Sequence, residues 1–302
     1  MLQQTRIPVV INRYEIFLKE FPNWEALANA SEDRVLKLWE GLGYYSRARN
    51  LHKAAKLICA DFGGQIPQKA SEITKLPGFG AYTSAAIASI CFGEKVVSCD
   101  GNLARVYARL SATKFPLDDP QLKKAATAYF LRYMDDRDSG AINQALMEVG
   151  ETLCLPNGNP LCNSCPFASF CKAKKQEKQR AYPLPKSKLK RGVEKHTVLA
   201  LEFEGKFALE KREKGLLSSL YGFPMLEGHL EASEIASRFP DIEGEPKLLG
   251  TSFFSFTHKD WDMVCYKVKT KRAVAPYRYY SLKEIEEELS LPSAFRFVVK
   301  LL

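Results

Sequence analysis

The sequence predicts two domains of different class, an all-α half over residues 1–175 and a small α+β half over 196–302, joined by a basic linker at 176–195. Three observations carry this. Apolar side chains up to Leu153 recur at helical spacing without strand-like alternation. Four cysteines, Cys154 to Cys171, close that half. Beyond a Lys- and Pro-rich stretch the pattern changes to period-two strands.

Taken in order, residues 6–21 read as a helix broken early by Pro8, with Val9, Val10, Tyr14, Ile16 and Phe17 apolar. Asn23 caps the helix carrying Trp24 and Leu27. Val35, Leu38, Trp39 and Leu42 follow i, i+3, i+4, i+7 spacing, and Gly41 and Gly43 close that helix. Tyr44-Tyr45 start a basic helix that Phe62-Gly63-Gly64 ends. Ser71 caps a short helix through Leu76, Ala81 to Phe92 forms an apolar helix, and Leu103 to Leu110 forms the next. Asp119-Pro120 is an N-cap with proline at the first helical position, opening a helix through Met134. A last helix spans Ser139 to Leu153. In the second half, strands are expected at 197–203, 207–211, 248–256 and 262–269, with helices at 231–238, 281–289 and 293–302.

At 302 residues the chain can bury two full cores. With 46% hydrophobic and 26% charged residues it reads as globular. No apolar run approaches the roughly 18 residues of a membrane helix. Gln3, Gln4 and Arg6 interrupt any signal peptide. The net charge of +9 is uneven: residues 1–175 carry 22 basic and 17 acidic side chains, 176–195 carry 7 and 2, and 196–302 carry 15 and 16. A basic first half with a basic linker favours a polyanion partner, most simply nucleic acid.

Leu76-Pro77-Gly78-Phe79-Gly80 between two helices reads as a helix–hairpin–helix grip on a phosphate. Pro77 pre-sets a turn, Gly78 and Gly80 permit conformations closed to other residues, and the unpaired N–H groups that follow form an anion site. Asp100, flanked by Gly101 and Asn102, is the single acid after it. The plainer alternative is a Gly-rich connection followed by a helix-capping Asp.

The cysteines are spaced Cys154-x7-Cys162-x2-Cys165-x5-Cys171. One close pair with uneven remaining spacing favours an iron–sulfur cluster over zinc, and either over disulfides. Cys59, Cys91, Cys99 and Cys265 are expected to be reduced core residues.

Together these residues resemble the adenine DNA glycosylases of the MutY type, in the helix–hairpin–helix superfamily. The resemblance covers nearly the whole chain: Met1-Leu2-Gln3-Gln4-Thr5, Leu42 to Arg49, the hairpin, Asp100-Gly101-Asn102, Asn143 to Leu146, and the four cysteines. It implies a [4Fe–4S] cluster on Cys154, Cys162, Cys165 and Cys171, with a first spacing of seven residues against the family's six. It further implies hydrolytic removal of adenine opposite 8-oxoguanine or guanine in double-stranded DNA. Asp100 would stabilise the sugar cation, with Asn102 supporting it and Tyr82 in the same pocket. Gly78 and Gly80 would grip the backbone, Gln144 would face the flipped adenine, Tyr44 would wedge beside 8-oxoguanine, and Gln4 would fill the vacated stack. Related endonuclease III-like enzymes carry a lyase lysine where Tyr82 stands, so a monofunctional enzyme is implied, and Ala104 offers no other amine. The second half resembles a Nudix-like 8-oxoguanine recognition domain. There Phe256-Thr257-His258 stands for a Phe-Ser-His loop, and no paired-glutamate signature supports pyrophosphate hydrolysis.

In the family a Glu just upstream of the Met-Leu-Gln-Gln-Thr segment protonates the leaving adenine. This sequence begins at Met1 of that segment, and Glu15 and Glu20 do not match the acid's position. The expectation is that the native start lies upstream and restores it; the alternatives are a lesion-binding protein of impaired activity or an endonuclease III-like glycosylase/lyase. A cytoplasmic, nucleoid-associated monomer completes the expectations.

Overall fold

The computed structural model describes residues 1–3, 5, 7–135, 138–185 and 191–302, so Gln4 lies outside the described residues. The chain divides into two compact units, Met1–Lys56 with Leu189–Leu302, and Leu57–Lys188.

The helices α1 (Ile7–Glu20), α2 (Trp24–Asn29) and α3 (Glu32–Leu38) open the first unit, and α4 (Ser46–Asp61) runs on into the second. Pro8 does not break α1: it sits in the first turn, where its missing N–H is not needed. Asn23 caps α2 by accepting the Ala26 N–H at 2.8 Å. The third helix ends at Leu38, and Leu42 enters the core from the following turn, where Gly41 (φ +90°) and Gly43 (φ +65°) reverse the backbone. Val10, Phe17, Leu27, Leu36, Trp39, Ala48 and Leu220 share one buried cluster.

The second unit continues with α5 (Ala70–Ile73), α6 (Ala81–Phe92), α7 (Gly101–Ser111), α8 (Pro120–Leu131), α9 (Ser139–Glu148) and α10 (Lys172–Lys175). One π-helical turn, Val149–Leu153, extends α9 toward the cysteines. Val97, Leu103, Val106, Leu110, Phe130, Leu146 and Val149 form the core. The helices α6 and α9 touch so closely that a Cβ on Gly140 would lie 2.8 Å from the Ser89 carbonyl oxygen. The start of the expected linker packs here: Leu117 donates its N–H to the Leu184 carbonyl at 3.1 Å. Cys91 is exposed rather than a core residue, while Cys265 is buried.

The strands β1 (Gly192–Phe203), β2 (Lys206–Lys211), β3 (Tyr221–Gly222), β4 (Met225–Glu227), β5 (Lys247–Ser255), β6 (Lys259–Lys269) and β7 (Arg278–Tyr280) belong to the first unit. They form one sheet of order β3-β2-β1-β6-β5, with β4 on β1 and β7 on β2. Central β1 and β6 are parallel, with Glu194 opposite Trp261 and Val198 opposite Cys265. Both faces are covered, as a parallel pair requires. Val198, Ala200, Met263, Phe295 and Val298 pack on one side, with α12 (Leu282–Glu287) and α13 (Arg296–Leu301). Leu199, Leu201, Tyr266 and Ile235 pack on the other, with α11 (Ala232–Arg238).

Candidate nucleic-acid interface and acid site

The hairpin is anchored by Ile73, Leu76 and Phe79, all buried, while Gly78 and Gly80 stay at the surface. Gly78 has φ +82°, which favours glycine. Gly80 does not need that freedom: its φ of −75° is open to any residue, and it is the side-chain-free N-cap of α6. Nothing lies within 4 Å of a Cβ placed there, so its backbone faces open space. Ser71 is not a cap. The Glu94 carboxylate, 24 residues downstream, accepts the Ala70 N–H at 2.6 Å and closes the start of α5.

The stretch after α6 is stitched in place by Asn143, 1% exposed, whose amide uses both ends. Its oxygen accepts the Ser98 N–H at 2.8 Å, and its nitrogen donates to Ser89 Oγ at 2.9 Å and the Val96 carbonyl at 2.8 Å. Ser98 Oγ donates to the Tyr82 carbonyl at 3.0 Å. Asp100 emerges from this scaffold as the N-cap of α7, its Oδ1 accepting the Leu103 N–H at 2.8 Å. Tyr82 is half-buried, and its hydroxyl points to Met147 Sδ at 3.7 Å. Burial first, then the nearby charges of Asp100 and Glu151, push its phenol up, so it stays a neutral donor at pH 7. Gln144, one residue beyond Asn143, is exposed.

Asn102 Oδ1 accepts from Arg105 Nη1 at 2.9 Å. Arg105, 4% exposed, also donates to the Gly150 carbonyl at 2.6 Å and the Cys154 carbonyl at 2.8 Å. One turn later Arg109, equally buried, donates to Cys154 Sγ at 3.2 Å, the Leu155 carbonyl at 2.9 Å and the Gln179 carbonyl at 2.9 Å. Two guanidiniums thus tie the Asp100 turn to the cysteine loop. The signal for them in the sequence was charge at i and i+4 inside an apolar stripe, Leu103, Val106, Leu110.

All four clustered cysteines line a single cavity, walled by Val106, Leu110, Val149, Leu153 and Phe167. Burial, and the neighbouring thiols of Cys154, Cys171 and Cys162, push the Cys165 thiol up. Four thiol donors in an apolar pocket beside a buried cation suit a thiolate-held metal group.

Tyr44 and the hairpin tip Thr257–His258 belong to the first unit. Tyr44 has φ +47°, a strained conformation for a bulky residue, and the residue is 47% exposed. That backbone delays the start of α4 to Ser46. The Arg47 guanidinium lies 5.6 Å from the Tyr44 ring and 5.4 Å from that of Trp39, and it donates to the Met1, Leu42 and Gly43 carbonyls. Adjacent Tyr45 is buried, its phenol pushed up to about 12 by burial and then by the charge of Glu40. The Phe256 N–H donates to the Lys259 carbonyl at 2.8 Å, which makes Thr257 and His258 an exposed two-residue turn. Across 213 residues of chain, the Tyr44 hydroxyl and Thr257 Oγ1 stand 3.5 Å apart.

Residues 1–130 match the family model described as HhH-GPD superfamily base excision DNA repair protein. The human adenine DNA glycosylase is 40% identical over 180 residues, 59% of this chain and 33% of that protein. The protein of that name from Buchnera aphidicola subsp. Baizongia pistaciae is 37% identical over 74% of this chain and 64% of its own length. Its counterpart from subsp. Schizaphis graminum is 30% identical over 85% of this chain and 75% of its own length. The chain thus spans about a third of the human relative and just under two thirds of the first Buchnera one. Among solved structures, a thermostable thymine-DNA glycosylase superposes with TM-score 0.51 at 24% identity, over 58% of this chain and 80% of its own. A trapped endonuclease III–DNA covalent intermediate gives 0.51 at 21%, over 58% and 81%; both show the fold of the helical part. From the Schizaphis graminum relative, matched over most of both lengths, the chain belongs to the adenine DNA glycosylase family.

Proposed function

We propose that this protein is a monofunctional DNA glycosylase that removes adenine mispaired with 8-oxoguanine or guanine from double-stranded DNA. The observation that carries the reading is Asp100, a carboxylate fixed by the first turn of α7 beside the phenol of Tyr82. Loss of adenine leaves positive charge on the sugar, and a pre-oriented carboxylate stabilises that charge without reorganising. Asn102, held by Arg105, keeps the turn in register. In this reading the open backbone at Gly78 and Gly80 takes a phosphate, and the flipped adenine lies against Gln144. Tyr44, exposed on a strained backbone, wedges the stack beside the damaged base, Gln4 fills the gap, and Thr257 and His258 contact 8-oxoguanine. Residues 1–175 would then be the catalytic domain and 196–302 a Nudix-like recognition domain. Tyr82 carries no amine, so no Schiff base with the sugar forms there.

Cys154, Cys162, Cys165 and Cys171 would hold a [4Fe–4S] cluster: all four line one apolar cavity, and their one close pair with uneven remaining spacing favours a cluster over zinc. When bound, such a cluster supplies a thiolate-held, redox-capable cross-link of the loop.

Asp100→Asn tests the assignment cleanly, because asparagine is as good an N-cap as aspartate and the fold should survive. Turnover on an adenine:8-oxoguanine duplex should fall by roughly a thousandfold or more while binding persists. Adenine release at the wild-type rate would overturn the role of Asp100.

A further inference from the structure

We propose that Glu194 is the residue that positions the Thr257–His258 turn, by clamping Lys259 and Trp261 on the adjacent strand; this rests on the reading of that turn as the 8-oxoguanine contact. Glu194 lies on β1 directly opposite Trp261 of β6. Its Oε1 accepts from Lys259 Nζ at 2.5 Å and its Oε2 accepts from Trp261 Nε1 at 3.0 Å. Lys259 is the residue that closes the turn, through the bond from the Phe256 N–H to its carbonyl. Trp261 is the platform under the other side: the Phe256 ring sits 4.8 Å from it, and Phe254 stands 4.9 Å from Phe256. A single carboxylate therefore fixes both flanks of a two-residue turn whose own side chains are exposed.

The platform is held on its remaining sides by Arg212, 5.7 Å from the Trp261 ring, and by Phe295 at 6.2 Å. The His196 ring stands edge-on to the indole at 5.2 Å, with Nε2 3.5 Å from Glu194 Oε2. With its N–H bonded to Glu194, the indole is held against rotation, and so is the Phe256 ring resting on it.

The clamp serves geometry more than stability. The side chains of Glu194 and Lys259 are 42% and 38% exposed, so solvent screens their attraction and the pair adds little to the folding free energy. Releasing it should loosen the turn and free the Lys259 ammonium for any nearby phosphate, which raises lesion-independent affinity. A purely structural role predicts the reverse, a loss of stability with no change in discrimination.

The test is binding of the full chain to two duplexes at one salt concentration, with adenine opposite 8-oxoguanine or opposite guanine. Thermal unfolding is followed in parallel for wild type, Glu194→Gln, Glu194→Ala and Trp261→Phe. The preference for 8-oxoguanine should fall about tenfold in both Glu194 variants, the worth of one charge-assisted hydrogen bond. Trp261→Phe, which deletes the indole N–H but keeps a ring, should lose part of that preference. The melting temperatures of the Glu194 variants should stay within about 2 °C of wild type. Unchanged preference in folded Glu194 variants, or preference lost only in step with melting temperature, overturns the positioning role while the reading of the turn stands. A wild-type protein with no preference for 8-oxoguanine overturns both.

Discussion

Asp100 accepts the Leu103 N–H, and that one bond makes the acid both a helix cap and a carboxylate of fixed direction. The alternative of a plain capping residue and the catalytic reading are therefore not opposed, since the cap supplies the orientation that charge stabilisation needs. Local structure was legible where a short motif sets it: Asn23 and Asp100 each cap a helix, and the four clustered cysteines gather on one cavity. It was not legible where one side chain serves several distant partners. Asn143 looks like any helical asparagine until Ser89, Val96 and Ser98 surround it. His52 was not legible either: nothing in its sequence neighbourhood marks it as buried, yet it is 3% exposed. Burial first, then the positive charge of Lys56, hold its pKa below the ordinary 6.5, against opposing bonds to the Ala28 and Ala30 backbone. Its neutral form thus belongs to the folded state, and the unfolded chain takes up the proton first. That contribution to stability is complete above pH 6.5 and is lost as pH falls toward the depressed folded value. Urea unfolding at pH 7.5 and pH 5.5 should show a smaller drop for His52→Gln than for wild type. An equal drop in the two proteins would assign the pH dependence elsewhere.

Longer helices could be read directly, and α6 over Ala81–Phe92, expected as an apolar run after the hairpin, matches its expected bounds. Short elements could not. The strands β3, β4 and β7 hold two or three residues each, too few to display alternation. The first residues of β1 read as basic linker because Gly192-Val193-Glu194-Lys195 shows too little apolar alternation to signal a strand; they are a strand through their pairing with 259–262. The cap of α5 misled for a similar reason, since local spacing pointed to Ser71 while the acceptor came from Glu94. A four-residue helix has little intrinsic stability, so this one bond matters to the whole hairpin unit. Glu94→Ala should cost about 1 kcal/mol of stability, as for loss of a helix cap. It should also weaken binding to undamaged duplex DNA, with both effects read by denaturation and by fluorescence anisotropy. Full stability and affinity in Glu94→Ala would show that the hairpin does not depend on that cap.

At the scale of the molecule, the change of texture after the cysteines correctly separated helical from mixed structure, but it did not reveal how the compact units are drawn. Residues 1–56 group with the sheet through contacts spanning about two hundred positions. Lys37 Nζ donates to the Glu286 and Leu289 carbonyls, Lys211 pairs with Asp33 at 2.6 Å, and Glu40, buried, pairs with Lys37 at 3.0 Å and Arg296 at 3.1 Å. Leu220 completes the core of the first helices. Apart from Lys37–Glu40, no short window of sequence contains both members of these pairs. The same unit brings Tyr44 to Thr257, two residues singled out separately in the sequence. The central claim is that the chain excises adenine without cutting the strand, and one measurement tests it most directly. A single-turnover reaction on a duplex with adenine opposite 8-oxoguanine, assayed for free adenine and for strand breaks before and after alkali, separates the possibilities. The account predicts released adenine, with breaks appearing only after alkali. No released adenine, or strand cleavage without alkali and a borohydride-trapped protein–DNA adduct, would contradict it.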